Sequence, residues 1–407
     1  MGKYNKFVGI HQSMVGGFSR RVSDIQPFIV MELLARAQEL ERKGTNIVHM
    51  EIGEPDFDTP EAVRDAAIKG CQAGKTHYTN SLGYRELREA ISRYKKDTRG
   101  LDLDVDREIM VIAGTSPGFL MAMGALVDPG DEVIVTDPGY PCYQNFIRFF
   151  GGVPKFVKIH EEERFELDPA QLEQAITGKT RMILLNSPAN PTGQAISEKA
   201  LRRIADVVLA RKDVWVLADE IYAELTYTGK IAPSISSIPE MRDRTIVLDG
   251  FSKMWAMTGW RLGYIVAPGP LMKAMDKINQ NFMICAPSVS QEAAIAALGC
   301  SKETAAMLRL YKQRRDVITK RINQMQGISM KYPPSGAFYA FANIKAVSND
   351  SLKFAYDLLE KGHVAATPGI GFGANGEGFI RFSYTTDVSN IAEAMDRVER
   401  FLGAPQR

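Results

Sequence analysis

The sequence predicts an α/β protein with a large domain, whose mostly parallel sheet is covered by helices on both faces, and a smaller α+β domain built from both chain ends. Between residues 109 and 248, short apolar runs alternate with helical stretches, which is typical of a parallel sheet. After about Pro287, two long helical stretches precede more widely spaced strands. The chain has 407 residues, so it can bury a core without disulfides.

The first predicted elements are two helices and a strand. A helix is predicted over residues 24–43, because apolar residues recur on one face and a glycine follows. Residues 47–50 are predicted to form a strand. Thr59 as the N-cap and Pro60 in the first turn predict a second helix, which is expected to end at Gly74.

The central region carries the predicted sheet. Short apolar runs indicate strands, and the longer stretches between them have helical periodicity. The predicted strands are 109–113, 133–136, 182–185, 214–218 and 246–248. The predicted helices among them are 118–127, 143–150 and 197–210.

The C-terminal region predicts the smaller domain, which the first helix is expected to join. Its predicted elements are helices 288–298 and 303–324, a strand 337–342, a helix 352–361 and strands 363–366 and 379–382. The predicted boundaries are 1–20 for a flexible N-terminal arm, 21–52 for the N-terminal part of the small domain, 53–300 for the large domain and 301–407 for the C-terminal part of the small domain.

Composition and charge argue against several classes of function. Lys and Arg number 50 and Asp and Glu 48, so the net charge of +2 predicts no nucleic-acid partner. No apolar run approaches the roughly 18 residues of a membrane span. The cysteines and histidines lack metal-ligand spacing, so no metal site is predicted. The N-terminus lacks the apolar core of a signal peptide, which predicts a cytoplasmic protein.

Polar and aromatic residues follow the predicted strands one after another. Ligands of open α/β sheets bind beyond the carboxyl ends of the strands, so these residues are expected to share one edge. Taken singly, each fits a turn, a helix cap or a solvated side chain. Their recurrence indicates a site that combines a helix start for an anion, a carboxylate, a phenol, an amide and a lysine. The segments are 114–116, 137–140, 186–193, 219–222 and 249–253.

Five segments resemble one enzyme family. Residues 252–264, S-K-M-W-A-M-T-G-W-R-L-G-Y, resemble the cofactor-lysine signature of class I and II aminotransferases. These are pyridoxal-5′-phosphate (PLP) enzymes with the aspartate aminotransferase fold, known as fold type I. N-P-T-G at 190–193 and D-E-I-Y at 219–222 resemble the same family in the expected order, as do G-E-P-D-F at 53–57 and R-F-S-Y at 381–384. The resemblance covers nearly the whole chain and implies PLP as the cofactor.

The resemblance implies a role for each group around the cofactor ring. Lys253 would be the catalytic lysine, which bonds the cofactor and moves a proton after substrate has displaced it. Asp219 would keep the pyridine nitrogen protonated, because a nearby carboxylate raises its pKa. Tyr222 and Asn190 would hydrogen-bond the phenolate oxygen, and Tyr140 would stack on the ring.

The resemblance also implies a phosphate site. Gly114, Thr115 and Ser116 would supply backbone donors at a helix start, and Arg261 would supply a cation with a forked geometry.

One position departs from the family pattern. Many relatives use a serine three residues before the lysine, where this chain has Gly250, and Ser252 is expected to compensate. Tyr78 resembles a tyrosine that reaches the phosphate of the neighbouring subunit. A homodimer with shared active sites is therefore implied.

Substrate recognition follows from the same resemblance. Arg381, with Asn190, would bind the substrate α-carboxylate, and Gly53 resembles the loop residue that closes over it. Members that act on aspartate need a cation for the distal carboxylate, and in one bacterial branch a lysine of the phosphate loop and a small hydroxyl residue help to supply it. The corresponding residues here are Ser116 and Phe28. The expected reaction therefore moves an amino group from a neutral or apolar L-amino acid to a 2-oxo acid.

Two other functions remain open at the level of sequence. A carbon–sulfur β-lyase on the same fold would need nearly the same machinery around Lys253, because the two reactions diverge late. A non-catalytic regulator that senses the cofactor is the remote alternative. Such proteins usually carry an added DNA-binding domain, and the residues before Arg21 are too few for one.

Overall fold

The computed structural model describes residue 17 and residues 19–403, so most of the predicted N-terminal arm lies outside the described residues. The helices are α1 Arg20–Asp24, α2 Ile29–Arg42, α3 Glu61–Gln72, α4 Arg85–Arg99, α5 Thr115–Leu126, α6 Cys142–Phe149, α7 Pro169–Ala175, α8 Glu198–Leu209, α9 Gly269–Phe282, α10 Ser288–Ala297, α11 Ser301–Gln324, α12 Ser351–Asp357 and α13 Val388–Gly403. The strands are β1 Val48–His49, β2 Ile109–Ile112, β3 Glu132–Asp137, β4 Val153–Lys158, β5 Thr180–Asn186, β6 Trp215–Asp219, β7 Thr245–Gly250, β8 Gly263–Val266, β9 Tyr339–Asn343, β10 Val364–Ala365, β11 Thr367–Pro368 and β12 Phe379–Ser383. Among these helices, none is long and apolar enough to cross a membrane.

A seven-stranded sheet forms the centre of the molecule, in the order β2-β8-β7-β6-β5-β3-β4. The strands β3 to β7 pair in parallel. The strand β8 runs antiparallel to both its neighbours, so β2 points the same way as β7. The predicted α/β fold with a mostly parallel sheet is therefore confirmed.

Helices cover both faces of this sheet because successive side chains of a strand point to opposite faces. Ile183 and Val216 belong to the apolar cluster that includes residues of α4, α8 and α10. Their neighbours Leu184 and Leu217 belong to a second cluster, which includes residues of α5, α6 and α9. This burial on both sides explains why the central strands are continuous apolar runs.

The two parts of the chain outside the large sheet meet each other. The strand β1 pairs in parallel with β10, with Val48 opposite Val364. The strands β11, β12 and β9 form a separate antiparallel sheet. The helix α2 contacts both β10 and β11. The N-terminal and C-terminal segments therefore pack together as predicted, while the exact domain boundaries stay a prediction.

Two predicted helix starts are wrong, and prolines account for both. The helix predicted over 24–43 begins at Ile29, because Pro27 disfavours helical backbone in the residue before it. The N-cap of α3 is Pro60, not Thr59. The Thr59 hydroxyl instead donates to the carbonyl of Ala256 at 2.6 Å.

Several other elements differ from the predictions. The helix predicted over 352–361 is α-helical only to Asp357 and continues as a π-helical turn over Leu358–Gly362. The helices α1, α4, α7 and α9 and the strands β4, β8 and β11 were not predicted. Of these, β8 lies between β7 and β2 and joins β2 to the rest of the large sheet.

Candidate active site

A cavity of about 350 Å³ lies at the edge of the sheet where β2, β3, β5, β6 and β7 end. Most of the predicted site residues line it, namely Gly53, Thr115, Ser116, Tyr140, Asn190, Asp219, Tyr222, Ser252, Lys253, Arg261 and Arg381. They come from segments far apart in sequence, and the sheet brings them together. Gly114 lies beside Arg261, while Tyr78 does not line this cavity.

Lys253 follows β7 and points its amine into the cavity. Its Nζ donates to the carbonyl of Gly53 at 2.6 Å and lies 5.8 Å from the centroid of the Phe338 ring. Burial lowers the pKa of Lys253 to about 8. A large fraction of this amine is therefore neutral, and able to accept a proton, at mildly alkaline pH.

Asp219 ends β6 and is a buried carboxylate with neutral partners. The Tyr143 hydroxyl donates to its Oδ2 at 2.6 Å, and the Ile221 N–H donates to its Oδ1 at 3.3 Å. Burial raises the pKa of Asp219 to about 6, while the Tyr143 bond opposes that rise. Since neither donor is charged, a cation placed against this carboxylate would be strongly favoured.

Tyr222 and Asn190 lie on the other side of the cavity. The Tyr222 hydroxyl is 2.7 Å from the Tyr339 hydroxyl. The Asn190 backbone N–H donates to Oδ1 of Asn186 at 2.9 Å, which fixes the turn after β5. Both predicted residues are buried and can offer a hydrogen bond to a phenolate oxygen in the cavity.

Arg381 lies on β12 and is also buried. Its Nη1 donates to Oδ1 of Asn190 at 2.9 Å, and its Nη2 donates to the Glu51 carbonyl and to Oγ1 of Thr367. Its guanidinium lies 4.5 Å from the centroid of the Tyr339 ring. Burial lowers the pKa of Arg381. The arrangement gives a forked cation, held in place, at the cavity wall.

The start of α5 and Arg261 form a site suited to an anion. The helix begins at Thr115, and the first amides of a helix have no acceptor within it. Pro117 lacks an N–H, so the donors are those of Thr115 and Ser116. A Cβ atom at Gly114 would lie 2.6 Å from Nη2 of Arg261, and the φ of +87° at this residue is a left-handed conformation that favours glycine.

The cavity also has an apolar wall. Phe28 meets Tyr140 edge to face, with ring centroids 6.1 Å apart, and Tyr140 meets Tyr143 in the same way at 5.2 Å. Val30 and Met31, in the first turn of α2, lie next to Phe28 in the lining. This wall faces the same space as Lys253.

Two residues of the site, Tyr143 and Tyr339, were missed by sequence reasoning. The Tyr143 hydroxyl donates to Asp219, and the Tyr339 hydroxyl is hydrogen-bonded to that of Tyr222. Asn186 lies in the predicted segment 186–193 but was given no role; its Nδ2 donates to the Asp219 carbonyl at 3.1 Å. Tyr143 lies three residues after Tyr140, which is only a weak signal. Nothing near Tyr339 in the sequence points to the site.

These groups fit PLP. A lysine amine can bond its aldehyde. The buried Asp219 has no charged hydrogen-bond partner among the described residues, and a pyridinium would supply one. The close approach of Arg261 to Gly114 and the start of α5 suits its phosphate. The roles of the individual residues stay predictions.

Comparisons with known proteins agree with this fit. The family model described as aminotransferase class I and II matches residues 45–398. A (5-formylfuran-3-yl)methyl phosphate transaminase of Methanocaldococcus jannaschii is 40% identical over 387 residues, covering 94% of this chain and 99% of that protein. Aromatic-amino-acid aminotransferase 2 of Thermococcus litoralis is 37% identical, covering 94% of this chain and 98% of the relative.

A solved structure shares the whole fold. The aspartate aminotransferase from Rhizobium meliloti superposes with a TM-score of 0.91 at 35% identity, covering 95% of this chain and 99% of that one. Together with the family match, this likeness assigns the chain its chemistry and its cofactor. The chain belongs to the class I and II aminotransferases and is a PLP-dependent transaminase.

Proposed function

We propose that this aminotransferase takes the amino group from a neutral, largely apolar L-amino acid and passes it to a 2-oxo acid. The observation that carries the proposal is the lining of the cavity. Phe28, Val30 and Met31 form an apolar wall there. Burying an unpaired carboxylate against such a wall would cost several kcal/mol.

The cations of the cavity support the same preference. Among the described residues that line it, the cations are Lys253, Arg261 and Arg381. Arg381 is bonded to Asn190 and the Glu51 carbonyl, and Arg261 lies against the start of α5. Ser116 is neutral and stands where one branch of the family has a lysine. A side-chain carboxylate therefore finds no additional cation within this chain's described lining.

Each site residue has a separate role toward PLP and the substrate. When bound, PLP supplies an aldehyde for the amino group and a ring that accepts electrons. Lys253 takes a proton from the substrate α-carbon through Nζ, and its lowered pKa of about 8 suits that task near neutral pH. Asp219 keeps the pyridine nitrogen protonated, and Tyr222 and Asn190 donate hydrogen bonds to the phenolate oxygen. Arg381 binds the substrate α-carboxylate.

A homodimer is part of the proposal. Tyr78 is 81% exposed and Phe282 77% exposed, and Ile284 beside them is 48% exposed. The two segments meet where the Thr79 amide donates to Sγ of Cys285 at 3.5 Å. An exposed apolar patch of this kind is typical of an interface, and it supports a shared site in which Tyr78 serves the partner. The cytoplasmic location stays a prediction.

The test of substrate class compares amino donors on the holoenzyme. We expect kcat/KM for leucine, phenylalanine or alanine to exceed that for aspartate, each with the same 2-oxo acid in excess. Aspartate above all three would contradict the proposal. Cysteine without an oxo acid tests the lyase alternative, since sustained pyruvate release requires a lyase.

A matched pair of variants tests the physical reason. Ser116→Lys adds a cation at the cavity, while Ser116→Met adds similar length without charge. We expect the lysine variant alone to raise the aspartate-to-leucine ratio of kcat/KM, by about tenfold for one new ion pair. Equal ratios in the two variants would show that the missing cation does not set the preference.

A further inference from the structure

A short segment after β1 holds two side chains of the active site. The Glu51 carbonyl accepts from Nη2 of Arg381 and from Oγ1 of Thr367, the latter at 3.3 Å. The Gly53 carbonyl accepts from Nζ of Lys253 at 2.6 Å. The conformation of residues 50–53 therefore affects where both cations point.

The side chain of Glu51 is an unusual feature of this segment. Its exposure is 0%, and one carboxylate oxygen, Oε1, lies 2.7 Å from Nδ1 of His49. The other oxygen, Oε2, is buried with no hydrogen-bond partner among the described residues. His49 also contacts Oε1 of Glu41 on α2, through Nε2 at 3.1 Å. A buried carboxylate is costly without a cation, and His49 is the cation that touches it.

Arg381 also has an unpaired polar atom. Its Nε is buried without a hydrogen-bond partner among the described residues. Burial lowers the pKa of Arg381, and the negative charge of Glu51 is one of the influences that oppose this. If Glu51 lost its counter-ion, its free oxygen would attract the guanidinium and compete with a substrate carboxylate.

We propose that His49 is a positioning residue: as the counter-ion of Glu51, it leaves the charge and the orientation of Arg381 available for the substrate carboxylate. This inference rests on the proposed role of Arg381. Neither His49 nor Glu51 lines the cavity, so both act through Arg381.

The surroundings of His49 keep it charged. The hydrogen bond to Glu51 raises the pKa of His49 to about 9, against the effect of burial, and Glu41 adds to the rise. On the side of α13, Arg397 bonds the carbonyls of Asn46 and His363 and is paired with Glu393. The imidazolium is therefore present at neutral pH and is lost as the pH rises through about 9.

The test measures the inhibition constant, Ki, of the holoenzyme for a carboxylate that lacks an amino group. The candidates are 3-phenylpropanoate and succinate, and the one that binds the parent more tightly is used throughout. The variants are His49→Gln, Glu51→Gln and the double variant, with Glu39→Gln as a control that removes the ion pairs of Glu39 with Arg36 and Lys43 on α2. At pH 8 we expect His49→Gln to raise Ki by about tenfold, with kcat changed much less. The double variant should return Ki to within about threefold of the parent, because no buried carboxylate remains at position 51 to attract Arg381.

The outcomes separate this inference from the proposed function. Arg381→Lys should raise Ki strongly, and if it does not, the role of Arg381 is wrong. If Arg381→Lys acts but His49→Gln leaves Ki unchanged, or the double variant is no better than the single one, the inference about His49 is overturned.

A pH series covers the case in which His49→Gln does not fold, as judged by thermal unfolding. The ratio of the parent Ki to the Glu51→Gln Ki should rise above about pH 9, where His49 loses its proton. Titration of the other groups of the site is common to both proteins and cancels in this ratio. A flat ratio would contradict the proposed effect of the counter-ion.

Discussion

At the scale of single residues, the proposed chemistry depends on Lys253 and on the burial of its amine. The amine donates to the Gly53 carbonyl and has a pKa lowered to about 8 by burial.

We expect borohydride to fix PLP to Lys253 in the parent and to leave Lys253→Ala unlabelled. The same variant should lose at least about a thousandfold in kcat, since it lacks the group that moves the proton. Peptide mapping by mass spectrometry checks the label, and Lys273→Ala, which removes an exposed lysine, should label like the parent. Labelling of another lysine in the parent would refute the assignment.

Asp219 and Tyr143 form the second unit at this scale. A carboxylate with a raised pKa takes up a proton as the pH falls through about 6, and it then loses its attraction for a pyridinium. PLP affinity should therefore fall in that range. Tyr143→Phe removes a donor that lowers the Asp219 pKa, so the fall should begin at higher pH, by about one unit.

The measurement is the PLP dissociation constant from pH 5 to 8. Tyr94→Phe is the control, because it removes a similar hydroxyl–carboxylate bond, that to Glu224, elsewhere in the fold. Identical pH dependence in the parent and Tyr143→Phe would show that this hydrogen bond does not control Asp219.

The individual residues of the site differ in how well the sequence predicted them. Lys253 and Asp219 lie at strand ends and in family motifs, so both kinds of signal predicted them, whereas Arg381 lies within β12 and was predicted from its motif through the resemblance. Tyr339 lies more than a hundred residues from Tyr222, which it bonds, and only the folded chain shows that contact. Tyr143 depends on the direction in which α6 presents its side chain, which periodicity does not give.

At the scale of elements, apolar runs predicted the central strands well because those strands are buried on both faces. The strand β4 was missed because it lies at the sheet edge, buries only one residue, Val157, and contains Pro154. The helix α4 was missed because it is rich in charged residues, and its buried apolar residues are only Leu87, Ala90 and Ile91. The strand β8 overlaps the end of the lysine signature, and its antiparallel direction follows only from its pairing with β7.

The pairing of β7 with β8 explains the departure at Gly250. A Cβ atom there would lie 2.9 Å from the Gly263 Cα and 3.1 Å from the Leu262 carbonyl oxygen. We expect Gly250→Ser to push these strands apart and to lower the free energy of unfolding by about 1–3 kcal/mol. It should not tighten PLP binding, even though many relatives have serine at this position.

Urea unfolding and PLP titration check this expectation. Gly178→Ser is the matched control, because a Cβ atom at that glycine meets nothing within 4 Å. A Gly250→Ser protein of parental stability with tighter PLP binding would show that the position can serve the phosphate, contrary to the packing argument.

At the scale of the whole molecule, pairing between segments far apart in sequence sets features of the fold that could not be predicted from the sequence. The contact of Val48 with Val364 joins segments more than three hundred residues apart, and it places Glu51 next to Arg381. The sequence predicted that both chain ends share a domain, but neither this register nor the buried charge at Glu51 follows from local pattern. The boundary positions stay a prediction for the same reason.

Assembly is the last property of the whole molecule, and Tyr78 tests it. Its ring is 81% exposed and outside the cavity of its own chain, so a role at the phosphate requires a second subunit. Tyr78→Phe should weaken PLP binding, and Lys253→Ala should abolish turnover. When the two variants are unfolded, mixed in equal amounts and refolded at limiting PLP, about one site in four should combine Lys253 of one chain with Tyr78 of the other. Activity should then exceed the mean of the two variants refolded separately. If Tyr78 served its own chain, no site in the mixture would contain both residues, and the mixture would show no gain over that mean.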